Sequence, residues 1–140
     1  MHDILSVVET KSDLELAVEK EILKGTIMSF EAESLIKRLS SMIDSVQERD
    51  WFTGAYEILT ERDIILPGGE IYRPDRVMID KDNSKAIVVD YKFGLKHEGR
   101  YNRQIENYIS ILSKCGYSEV EGYLWYLEEN QIYHFIAPAK

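Results

Sequence analysis

The chain has 140 residues, 44% of them hydrophobic and 30% charged, with a formal net charge of −8. Three prolines and eight glycines in such a composition exclude collagen-like, low-complexity and disordered chains. The length predicts one domain over 1–140, large enough to bury a core without a disulfide or metal staple. The single cysteine, Cys115, excludes an internal disulfide and a multi-cysteine zinc site. No apolar run approaches the roughly 18 residues of a membrane span. Met1-His2-Asp3-Ile4 has neither the basic nor the apolar region of a signal peptide, so a reducing cytoplasm is the expected compartment and no membrane partner is expected.

Taken in order, Met1 to Val8 suits a short helix. Ser12-Asp13-Leu14-Glu15 reads as a capping box opening a second helix, on which Leu14, Ala17, Val18, Ile22 and Leu23 fall at helical spacing until Gly25 stops it. Ser29 is the expected cap of a third helix, whose apolar stripe is Phe30, Leu35, Ile36, Leu39, Met42, Ile43 and Val46. After Trp51-Phe52 the period changes to two. Tyr56 to Leu66 predicts a strand, Pro67-Gly68-Gly69 a hairpin turn, and Ile71 to Asp80 the return strand. Lys81-Asp82-Asn83-Ser84 is a second turn, followed by a strand over Lys85 to Phe93. Its Ala86-Ile87-Val88-Val89 run is apolar on both faces, which predicts a central position. A helix over Arg100 to Cys115, a strand over Val120 to Leu127 and an edge strand over Gln131 to Ile136 complete the order. Three antiparallel strands and a helical crossover to a fourth imply an α/β or α+β sandwich.

Charge is unevenly spread. Residues 1–65 carry a net −7, residues 70–103 a net +2 and residues 104–140 a net −3. The total opposes nucleic acid, whereas the middle segment, with Arg73, Arg76, Lys81, Lys85, Lys92, Lys96, Arg100 and Arg103, is locally basic. A phosphate responds to the charges within a Debye length of about 8 Å.

Two ionisable clusters interrupt the apolar strands: Arg73-Pro74-Asp75-Arg76 and Asp90-Tyr91-Lys92. Residues two apart on a strand share a face, so Asp90 and Lys92 project together from a strand expected to be central. Burying them is costly without compensation. One compensation is a cross-strand ion pair. Another is a divalent cation held by Asp75 and Asp90, since hard cations take carboxylate oxygens. The hairpin places the two acids on adjacent strands, which favours a site.

These residues resemble the nuclease domain of the PD-(D/E)xK superfamily, most closely the RecB/AddA/AddB type that ends many UvrD-like helicases. Pro74-Asp75 resembles the PD element and Asp90-Tyr91-Lys92 the D-x-K element. Gln104 to Tyr108 resembles the Q-x-x-x-Y signature, Met1 to Leu5 the N-terminal helix with its metal-ligating histidine, and Glu61 a glutamate before the hairpin. The resemblance spans the whole chain. It implies a restriction-endonuclease-like sandwich, a mixed sheet of about five strands flanked by helices, and an Mg²⁺- or Mn²⁺-dependent deoxyribonuclease serving end processing and recombinational repair.

On that resemblance Asp75, Asp90, His2 and the Tyr91 carbonyl would hold the metal. Lys92 would act on the attacking water and the scissile phosphate. Gln104, Tyr108, Arg73, Arg76 and Arg100 would contact DNA or support the site, and Glu61 would stand behind it. The expected partners are DNA, as single-stranded ends, and a helicase domain of the same or another chain. The chain has no Gly-x-x-x-x-Gly-Lys-Ser/Thr loop and hence no Walker ATP site. A C-terminal fragment of a longer helicase-nuclease, or a stand-alone relative, is therefore expected. The alternatives are a non-catalytic DNA-binding or helicase-docking domain, and a restriction-like or junction-resolving endonuclease, on the same fold.

Overall fold

The computed structural model describes residues 2–59, 64–65, 71–72, 74–92 and 99–136, except for the side chains of residues 2, 3, 64, 65, 71, 72, 99 and 100. The chain divides into two compact units, Met1–Tyr56 and Glu57–Lys140.

The first unit is helical: α1 (His2–Val7), α2 (Leu14–Leu23) and α3 (Ala32–Ser45). α2 packs against both α1 and α3. The first helical turn opens earlier than the Ser12 box predicts. A single 3₁₀ turn over Lys11–Asp13 precedes α2, and the reciprocal cap is Thr10 with Asp13, whose Oδ2 accepts from the Thr10 N–H at 3.0 Å. A second 3₁₀ turn, Ser29–Glu31, leads into α3, with Met28 as its N-cap in place of Ser29. Gly25 follows the C-cap of α2 at φ 81°, the left-handed conformation that glycine adopts without cost. Leu14, Val18, Leu39 and Ile43 are buried, as the helical spacing requires, but Leu23 and Phe30 are exposed. A Lys11–Asp44 ion pair of 2.8 Å links the start of the α2 turn to α3.

The second unit is α+β. Its five-stranded mixed sheet has the order β1 (Glu57–Leu59), β4 (Arg76–Asp80), β5 (Lys85–Lys92), β6 (Glu119–Tyr126) and β7 (Gln131–Ile136). β1, β4 and β5 are antiparallel; β5 and β6 are parallel, joined through α4 (Gly99–Lys114); β6 and β7 are antiparallel. β5 holds the middle of the sheet, which explains its apolar character on both faces. The predicted long hairpin is interrupted. β2 (Ile64–Ile65) and β3 (Ile71–Tyr72) form a separate two-stranded ladder, so the single expected strands are each split in two.

α4 covers one face of the sheet. Val77, Ile79, Ala86, Val88, Val120, Leu124 and Tyr126 meet Ile105, Tyr108 and Ile109 there. Met78, Ile87, Val89, Tyr91, Tyr123 and Trp125, on the opposite face, are buried as well. The aromatic residues Tyr123, Trp125 and Tyr126 are thus packing residues. At the far end of β6, the Trp125 indole donates to Asn130 Oδ1 at 2.8 Å and closes the turn into β7.

Candidate functional site

Asp75 and Arg76, where β4 begins, meet Asp90 and Tyr91, where β5 ends. The segment before β4 is bent at Asp75, which leaves the backbone N–H of Asp75 outside the β4–β5 ladder. A buried N–H must find an acceptor, and it finds one in the opposing motif: Asp75 N–H donates to Asp90 Oδ1 at 3.0 Å. The reverse bond is also made. Tyr91 N–H, at the end of β5, donates to Asp75 Oδ2 at 2.8 Å. Each carboxylate is therefore held by the backbone of the other motif. Two charge-assisted hydrogen bonds fix the acids side by side, although they lie fifteen positions apart in the chain.

Asp90 is 4% exposed and sits on the α4 face of β5, with Val88 before it and Lys92 after it. An Asp90–Lys92 ion pair is not formed, and no carboxylate among the described residues makes one with Lys92. The Lys92 ammonium instead stands over the ring of Tyr101, 4.2 Å from its centroid. Tyr101 is the third residue of α4 and packs against the sheet core.

On the other face, Arg76 is wholly buried. Its guanidinium donates a hydrogen bond to the Tyr91 phenol, beside the Trp125 ring at 5.9 Å. Burial pushes the Tyr91 phenol well above its ordinary value; the Arg76 charge opposes this, and Asp75 and Asp90 add to it. Tyr91 stays a neutral phenol at any ordinary pH.

Several sequence expectations change here. Arg76 cannot meet DNA: at 0% exposure its guanidinium has no surface to present to a phosphate. Tyr108, 1% exposed, is a core residue between α4 and the sheet, so only the supporting part of its expected role is open to it. Gln104 is half-buried on the same helix. The basic segment does not form a patch among the described residues. Lys81 pairs with Glu57 at 3.1 Å and Lys85 approaches Glu121 at 3.8 Å, because pairing on the sheet brings acids from outside the segment to them. Arg103 is exposed on α4. Arg73 and Glu61 lie outside the described residues, as do the side chains of His2 and Arg100; the His2 backbone opens α1 in the first unit. Tyr101 was not singled out from the sequence. Its signal is the α4 stripe Tyr101, Ile105, Tyr108, Leu112, which marks it as facing the same surface as the core residues.

The donor set fits a hard divalent cation. It consists of two carboxylates held together by backbone N–H groups, and Mg²⁺ is commonly bound by one or two carboxylates with waters and phosphate filling the remaining positions. Among the described residues no group of three His, Cys, Asp or Glu side chains could hold a metal.

No family model matches the chain, and no curated protein matches it. Among solved structures, the crystal structure of SSO0001 matches with 19% identity over 98% of this chain and 68% of the other, at a TM-score of 0.38. A likeness of that degree carries no argument about function.

Proposed function

We propose that the chain is a metal-dependent nuclease domain of the PD-(D/E)xK type, closest to the RecB/AddA/AddB group, that hydrolyses phosphodiester bonds in DNA. The observation that carries this reading is the reciprocal bonding of the two motifs, Asp75 N–H to Asp90 and Tyr91 N–H to Asp75. A structural ion pair would account for Asp90 and Lys92 bonded to each other. It does not account for two acids brought together with the lysine standing apart.

In this reading Asp75 and Asp90, with the Tyr91 carbonyl, would hold Mg²⁺ or Mn²⁺. The metal supplies a lowered water pKa and charge stabilisation at the phosphate. Lys92 orients the attacking water and neutralises charge that develops on the phosphate oxygens. The substrate is a single-stranded DNA end delivered by an attached or partner helicase, and the setting is DNA end processing and recombinational repair in the cytoplasm.

Calorimetry with Mn²⁺ tests the site. Asp90→Asn keeps an oxygen for the Asp75 N–H and removes one ligand charge. Binding by wild type and its loss in Asp90→Asn is the expected result. Equal binding by both proteins would show that the acids do not form the metal site.

A further inference from the structure

Lys92 raises a question of its own. An ammonium at the end of a buried strand, two residues from a buried carboxylate, would ordinarily pair with it. It does not. The Nζ lies over the Tyr101 ring instead, at 4.2 Å from the centroid. This distance is well inside the roughly 6 Å within which a ring face attracts a cation. Tyr101 is itself anchored, since it packs against the cluster that includes Val88, Ile105 and Tyr108. The ring is thus a fixed platform, built by the crossover helix, for a side chain on the central strand.

The choice of partner has a chemical consequence. A carboxylate would neutralise the ammonium and occupy its N–H donors. A ring face attracts the charge through its quadrupole and takes up none of the three donors in a conventional hydrogen bond. It also restricts a long, flexible side chain. We propose that Tyr101 is a positioning residue for Lys92, holding the ammonium in place while leaving its donors for the attacking water and a phosphate oxygen. This assignment rests on the nuclease reading for its water and phosphate, but the contact itself can be read without substrate.

The experiment uses the full chain with ¹³C-labelled lysine. A methylene next to an ammonium that lies over a ring face resonates upfield of the other lysines. The Lys92 ε-CH₂ signal, identified by its disappearance in Lys92→Arg, is expected upfield in wild type, upfield in Tyr101→Phe and back among the other lysines in Tyr101→Leu. Cleavage of labelled single-stranded DNA with Mn²⁺ is the second arm. Tyr101→Leu is expected to lose about two- to thirtyfold in kcat, the equivalent of a ring–cation attraction of about 0.5–2 kcal/mol, with KM and Mn²⁺ affinity little changed. Phenylalanine at 101 restores most of the rate. Replacement by pentafluorophenylalanine keeps the shape and reverses the quadrupole, so it separates attraction from packing: kcat falls with it if the ring attracts the ammonium. This variant also decides the matter if Tyr101→Leu fails to fold.

An unshifted Lys92 signal in wild type overturns the assignment, as does a fluorinated variant that cleaves as fast as the phenylalanine one. Wild type that shows the shift but cleaves nothing with Mn²⁺ overturns the nuclease reading instead, and Tyr101 then remains the residue that holds Lys92.

Discussion

At the scale of single residues, the site separates tasks that the sequence places within three positions. Asp90 is tied to the Asp75 backbone, Tyr91 contributes its N–H to Asp75 and its phenol to Arg76, and Lys92 turns to a ring on α4. Because Lys92 makes no ion pair with the acids among the described residues, its removal should leave them in place. Lys92→Ala is expected to bind Mn²⁺ as wild type does and to lose about 10²–10³ in cleavage rate, the usual worth of such an electrostatic group; calorimetry and a single-strand cleavage assay on the same preparation check both halves. A second residue-scale prediction concerns the turn between β4 and β5. Asn83 donates to both oxygens of Asp80, by its side chain at 2.7 Å and its N–H at 3.3 Å. The Asn83 side chain in particular holds the Asp80 carboxyl below its ordinary value. A carboxylate with a depressed folded value contributes stability above its unfolded pKa of about 4, and that contribution is lost as pH falls through the folded value. Asn83→Ala should therefore lower the urea midpoint at pH 7, and its difference from wild type should shrink as pH is taken below the unfolded value of about 4.

Among the elements, the pairing of β4 with β5 brings the two acids together, and the seating of α4 on β5 and β6 brings Tyr101 to Lys92. Gly122 on β6 permits that seating. A Cβ there would lie 2.7 Å from Ile105 Cγ2 and 3.0 Å from Ile109 Cδ1, both on the buried face of α4. Both isoleucine side chains are buried in the core cluster, so making room for a Cβ requires repacking there. Gly122→Ala is expected to cost about 1–3 kcal/mol by overpacking, a fall in Tm of roughly 3–12 °C, measurable by calorimetric or circular-dichroism melting. An unchanged Tm would mean that α4 is not held down by these contacts. The split of the expected hairpin into β1–β4 and β2–β3 has its site-level consequence in the bend at Asp75, which a continuous strand would lack. Without the bend the Asp75 N–H would belong to the ladder and could not reach Asp90.

For the whole molecule, net charge sets the terms of any encounter with DNA. At −8 the chain repels a polyanion, and within the second unit Lys81 and Lys85 are engaged by Glu57 and Glu121. The protein alone is expected to be a weak nuclease, acting on single strands with Mg²⁺ or Mn²⁺ and indifferent to ATP. For each phosphate the protein neutralises, a tenfold rise in salt should weaken single-strand binding by about fivefold. A gel assay between 20 and 200 mM salt, with and without EDTA and ATP, reads all of this; cleavage that persists in EDTA or requires ATP contradicts it. Fusion to a single-strand-binding module should raise the rate by raising the local concentration of substrate.

Much of this architecture was legible in the linear sequence, because it depends on local pattern. Periods of 3.6 and 2 mark α4, β6 and β7 nearly to the residue, and an apolar run without alternation marks β5 as the central strand. Gly25 and Gly116 end their helices where only a residue tolerant of positive φ fits. The two motif acids were also legible as a pair, since a hairpin brings its strands together whatever its details. What the sequence could not supply was the partner of each charge. Arg76 reads as a basic residue and is buried against Tyr91; Lys92 reads as the partner of Asp90 and stands over Tyr101; Lys81 and Lys85 read as free cations and meet acids from other strands. A hydropathy period reports which side of an element faces inward. Only tertiary structure decides which side chain from a distant element arrives there, and the energy of a charge depends on that neighbour far more than on its own position in the chain.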